Sequence, residues 1–231
     1  MAPVAASFGT LPTLDQVPDA LTSYDPRAYD SLPSLGSAFE KFQQSNALTT
    51  VMGPIRDLFL RYNVNKDLGI ALLHKHFPIL PKHRLVDSRN MSAPWDMSHG
   101  TNAIAHKYDG VVWPRSFRLN ERLFVPYEFG FSDAEFPSLR NQDFLVELSL
   151  LLHERKLDKV LGIRVLDQHN SDLPVEVTEG NVNMMIRRGT VPDEELIPAP
   201  WVFGYEDEAC HCKEFCRVDK GNHVEKNHSC G

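Results

Sequence analysis

Leu68-Gly-Ile-Ala-Leu-Leu-His-Lys-His-Phe77, stopped by Pro78, is the stretch whose reading decides the fold. Apolar runs this short are compatible with strand or helix, and the two readings place the histidines differently. On a strand, side chains alternate faces, so Ile70, Leu72, His74 and His76 share one side and the two imidazoles point into the same space. On a helix, His74 and His76 diverge. The stretch reads as a strand, with a helix as the live alternative.

Upstream, residues 1–34 carry Pro3, Pro12, Pro18, Pro26 and Pro33 with no periodicity, and read as a flexible Pro-rich arm. A modest apolar stripe follows at Phe39, Phe42 and Leu48. Ile55, Leu58, Phe59 and Tyr62 then recur at helical spacing behind Pro54, which suits a first helical position because its missing N–H would have no partner there. Downstream, Lys107–Phe117 and Arg122–Phe131 are rich in β-formers and bounded by Pro and Gly. The clearest helix runs from Asn141 to Lys156, with Asn141 as its cap and a core stripe of Phe144, Leu145, Leu148, Leu151 and Leu152. Val160–Leu166, Glu176–Arg187 and Trp201–Tyr205 read as further strands. The interspersed elements predict an α+β domain with a largely antiparallel sheet, a few helices and a zinc-stabilised C-terminal tail. The corresponding division is an arm (1–34), a core domain (35–205) and a Cys/His tail (206–231).

That tail holds all four cysteines, Cys210, Cys212, Cys216 and Cys230, together with His211, His223 and His228. Random placement would gather four cysteines there roughly once in ten thousand trials. Cys212-x3-Cys216 and His223-x4-His228 have the bite of zinc-ligand pairs, and Cys210 adds a thiolate through Cys-x-Cys. The expected set is Cys210, Cys212, Cys216 and His223, with His228 or Cys230 as a substitute fourth ligand. Zinc suits the abundance of imidazole better than copper(I) does. The excess of candidate ligands and the absence of cleft-forming sequence around them favour a closed structural site over a catalytic one.

A second constellation lies in the body. If His74 and His76 share a strand face, a carboxylate from another strand completes a two-His-one-carboxylate set, and Glu128 in Val-Pro-Tyr-Glu-Phe is the first candidate. His83, His99 and His106 are further possible partners. The alternative for the pair is a hydrogen-bonded strand end, with Glu128 matched to an arginine.

Composition narrows the function. The formal charge is −7, from 31 acids and 24 bases, which disfavours a nucleic-acid partner. No apolar run approaches a membrane span, and the N-terminus lacks the features of a secretory signal, so a cytoplasmic protein with reduced thiols is expected. No phosphate-binding glycine loop, Gly-x-Ser-x-Gly or His-Glu-x-x-His is present.

Leu72-Leu-His-Lys-His-Phe77, Pro126-Tyr-Glu-Phe129 and the Cys-x-Cys tail resemble a fungal protein family with no assigned activity. The resemblance spans roughly residues 50–231 and implies a fungal origin and two purposeful clusters. Two functions follow. The first is a zinc-binding protein that recognises a small molecule or a protein, with zinc stabilising its tail. The second is a small metal-dependent or acid/base enzyme of specialised metabolism with a pocket around His74, His76 and Glu128.

Overall fold

Strands dominate the computed structural model, which describes residues 24–25, 27–98, 109–132, 141–166, 175–204, 211–212 and 215–218. The strands are β1 (Leu68–Leu72), β2 (His83–Ser88), β3 (Met91–Asp96), β4 (Val111–Asn120), β5 (Leu123–Ser132), β6 (Leu161–Val165), β7 (Val175–Glu179), β8 (Val182–Ile186), β9 (Leu196–Pro198), β10 (Pro200–Val202), β11 (His211–Cys212) and β12 (Phe215–Arg217). They form one sheet in the order β11-β10-β1-β6-β4-β5-β2-β3-β8-β7-β12-β9. β2 runs parallel to β5, and β12 runs parallel to β7, so the sheet is mixed.

The sheet curls until its two ends nearly meet. β9 is the last strand at one end and β10 the second at the other, yet only Ala199 separates them in sequence. β11 pairs with β10 and β12 with β9, so the last four strands alternate between the two sides of the seam. The result is a nearly closed, barrel-like sheet, which replaces the α+β expectation. The difference lies mostly in short strands that sequence alternation does not reveal. β2 and β3 are interrupted by Asp87, Ser88 and Pro94, and β9 and β10 carry Pro198 and Pro200, residues that weaken a strand signal. The separate zinc-stabilised tail is likewise replaced, because β11 and β12 are strands of the main sheet.

Glycines and prolines shape the curl. A Cβ on Gly162 would lie 2.3 Å from the Phe117 carbonyl oxygen, and one on Gly69 2.8 Å from that of Trp201. Only glycine allows β10, β1, β6 and β4 to approach this closely. Pro114 cannot donate to the ladder, and the β4–β5 register shifts between Pro114 and Phe117, bending the strand.

Among the described residues four of the five α-helices cover one face of the sheet, and the first packs with Leu73, Leu85 and Tyr127 instead. The helices are α1 (Arg27–Asp30), α2 (Leu35–Gln44), α3 (Ala47–Thr50), α4 (Arg56–Arg61) and α5 (Gln142–Glu154). Pro54 sits within a π-helical stretch, Val51–Ile55, that joins α3 to α4. The helix therefore begins before Pro54, and the wide turn accommodates the missing donor. Asn141 caps α5 by accepting the Phe144 N–H at 3.1 Å, as its sequence position suggests. Phe144, Leu148 and Leu152 of α5, with Phe59, Phe42 and Ile55, pack against Ile70, Leu72, Leu161 and Ile163 in the main core. Alternation turns the other face of β1 and β6 toward the barrel interior, where Arg164 meets Glu128 of β5 at 3.5 Å. Tyr24, Tyr29 and Leu32 are buried against the barrel. No helix among the described residues is long and apolar enough to cross a membrane.

Candidate metal centre

β1 ends at Leu72, but the chain beyond it is still held extended. Leu73 N–H donates to the Val160 carbonyl at 2.9 Å, and Lys75 N–H to that of Pro33 at 2.9 Å. Lys75 Nζ reaches the Asp30 carbonyl, and the His76 N–H meets the Tyr29 hydroxyl at 3.3 Å. With Lys75 drawn aside, the i and i+2 rings of His74 and His76 lie together, centroids 4.7 Å apart and edge to face.

Two more side chains converge on them. Glu176 projects from β7 and Cys216 from β12, strands that pair in parallel with these two residues opposite each other. One donor atom from each of His74, His76, Glu176 and Cys216 falls in a group whose members all lie within 4.8 Å of one another. His74 Nε2 is 3.5 Å from Cys216 Sγ, Cys216 Sγ is 3.4 Å from Glu176 Oε2, and His76 Nε2 is 3.3 Å from Glu176 Oε2. A tetrahedral site with bonds of ~2.0–2.3 Å has edges of about 3.3–3.8 Å. Those three separations match it, and the widest, within 4.8 Å, must close by about 1.5 Å or less.

The hydrogen bonds behind the cluster turn its acceptors inward. His74 Nδ1 lies 2.9 Å from the Leu72 carbonyl, which can only accept, so Nδ1 carries the proton and Nε2 presents a lone pair to Cys216. Thr178 Oγ1 donates to Asn183 Oδ1 at 2.9 Å and thereby accepts from His76 Nδ1 at 3.2 Å. His76 Nε2 then faces the Glu176 carboxylate with a lone pair as well. Burial pushes both imidazoles down to about 4, with the neighbouring His76 adding to the effect on His74. At neutral pH His76 is uncharged, so its contact with Glu176 is not an ion pair. The single Cys216 thiol proton can serve His74 Nε2 or Glu176 Oε2, but not both. More acceptors converge than there are protons to share, and the four donor atoms could together hold a metal ion.

The sequence candidates separate on this geometry. His74, His76 and Cys216, from two expected clusters, occupy one site. Glu128 instead pairs with Arg164, both side chains about 13% exposed, close enough for its charge to act on His74 and His76. His83 lies on β2, with its Nδ1 buried and without a hydrogen-bond partner. Cys212 lies on β11 opposite Trp201. Cys210, His223, His228, Cys230, His99 and His106 lie outside the described residues. Glu176 was missed because an acid between Val175 and Val177 is what any half-buried strand shows on its polar face.

Compared with protein-family models, curated proteins and solved structures, the chain matches none of them.

Proposed function

We propose that the protein binds one zinc ion through His74, His76, Glu176 and Cys216, and that the ion is structural. The observation that carries this reading is the convergence of four buried donor atoms whose proton count leaves acceptors facing one another. Charge selects the class of ion. Two neutral imidazoles, one carboxylate and one thiolate sum to −2, so a divalent ion leaves the buried site neutral, whereas copper(I) would leave one uncompensated negative charge. The mixed nitrogen, oxygen and sulfur set suits zinc among divalent ions. All four side chains are under a tenth exposed, and four protein ligands fill a tetrahedron, the pattern of a closed structural site. The Leu72-Leu-His-Lys-His-Phe77 stretch is then a ligand-bearing element.

Cobalt(II) substitution tests the ligand set. The expected spectrum has tetrahedral d–d bands and a thiolate charge-transfer band that disappears in Cys216→Ser. A cobalt complex whose spectrum is unchanged in that variant would remove Cys216 from the site.

An enzymatic reading has one observation in its favour: the Glu128–Arg164 pair in the barrel interior, electrostatically coupled to His76. It requires an open metal position, which replacement of one of the four ligands by water would create.

A further inference from the structure

The four candidate ligands come from two parts of the barrel that, among the described residues, bury separate core clusters. His74 and His76 belong to the body, whose core cluster contains 26 buried residues, drawn from the helices, from β1, β4, β5, β6, β9 and β10 and from the connections at Leu157, Val160 and Phe203. Glu176 and Cys216 belong to β7 and β12, which with β8 form a segment around a cluster of only three buried residues, Val175, Val177 and Val191. In the sheet order, seven strands lie between β1 and β12, so the contact from His74 to Cys216 closes the barrel across its seam.

Among the described residues the other attachments of the segment are short strand pairings and single contacts, Val218 N–H to the Glu195 carbonyl at 2.9 Å among them. β8 meets β3 at two register pairs, Met91 with Met184 and Ser92 with Asn183, supplemented by Met185 N–H to the Asn90 carbonyl at 2.9 Å. β12 meets β9 over three residues, and Arg217 reaches Glu195 at 3.0 Å. Across the seam itself, Thr178 to His76 joins the cluster at 3.2 Å. Without a cation, the Cys216–His74 and His76–Thr178 contacts are what the cluster itself contributes across the junction. A bound ion would replace them with four ligand bonds spanning the same seam, so the closed arrangement is favoured far more strongly with the ion than without it.

We propose that the metal is the clasp that fastens the β7–β8–β12 segment to the rest of the barrel, so that metal supply sets whether the barrel is closed. This rests on the metal-site reading above and adds to it a specific, local consequence of metal loss. Structural metals commonly contribute their binding free energy to folding, and here that contribution is concentrated at one junction.

The test is hydrogen–deuterium exchange on the full chain, zinc-loaded and after treatment with a strong chelator, with zinc content measured on both samples. Peptides covering 175–186 and 215–217 should exchange at least about tenfold faster without zinc, while those covering Gln142–Glu154 and Leu161–Val165 change less than about twofold. Alkylation mapped by peptide mass should reach Cys216 only in the chelated sample. One equivalent of zinc with unchanged exchange in the segment would overturn the clasp and leave the metal site standing. Loosening spread equally over Gln142–Glu154 would also overturn it, since the ion would then support the whole fold. A chain that takes up no zinc would overturn both readings, and the zinc content distinguishes that outcome from the other two.

Discussion

Glu176→Gln separates a metal ligand from an ion-pair partner, because the two roles predict opposite effects on the metal-free protein. The substitution keeps the shape of a side chain that is 7% exposed and removes one negative charge. With zinc bound, the site charge rises from zero to +1. Leaving a charge uncompensated in the interior costs about 3–5 kcal/mol. That corresponds to a loss of zinc affinity of about 10²–10⁴-fold. In the metal-free protein the sign reverses. Glu176 Oε2 faces the His76 Nε2 lone pair at 3.3 Å, and a glutamine amide in its place can donate across that distance. One such hydrogen bond is worth about 1 kcal/mol. The chelated variant should therefore be as stable as the chelated parent, or slightly more so. Competition with a chromogenic chelator measures the first quantity, and urea unfolding in excess chelator the second. A variant with undiminished zinc affinity and a metal-free form weaker by about 3 kcal/mol would refute the reasoning. It would mean that Glu176 serves a protonated His76.

Three further outcomes are expected. Thr178→Val removes the acceptor that holds His76 Nδ1–H and should weaken zinc binding by about 10–100-fold without touching a ligand, read by the same competition. Both imidazoles have folded values lowered from 6.5 to about 4, so stability they contribute is fully present above 6.5 and is lost as pH falls from 6.5 toward 4. Zinc should accordingly stay bound through pH 6 and dissociate on approach to 4, as measured by dialysis and elemental analysis; release centred near 6.5 would contradict the buried, neutral histidines. Gly162→Ala drives a methyl group into the Phe117 carbonyl, a backbone atom that cannot yield cheaply. It should destabilise the protein by about 1–3 kcal/mol in urea unfolding while leaving one zinc per chain.

Local elements were legible where local periodicity is strong. Phe144, Leu145, Leu148 and Leu152 mark α5 with its Asn141 cap, and the long β4–β5 pair shows in runs of β-formers. The closure of the sheet was not legible, because it depends on where Leu196–Pro198 and Pro200–Val202 pair, and three-residue strands containing proline carry almost no pattern. The site was half legible for a related reason. His-x-His is informative because both side chains sit on one short stretch whose periodicity aims them together. The two acids are distinguished only by tertiary placement: Glu128 faces Arg164, and Glu176 faces His76 from a strand about a hundred residues away in sequence. Cys216 was drawn from the tail cluster into the barrel by its register with Glu176, which no spacing rule reveals.

Elemental analysis of the purified full chain, beside His74→Ala/His76→Ala and Cys216→Ser, tests the central claim most directly. The account predicts about one equivalent of zinc in the parent, almost none in the double-histidine variant and a weakly held, chelator-labile ion in the serine variant. A parent chain free of zinc, or one equivalent retained in the double-histidine variant, would contradict it.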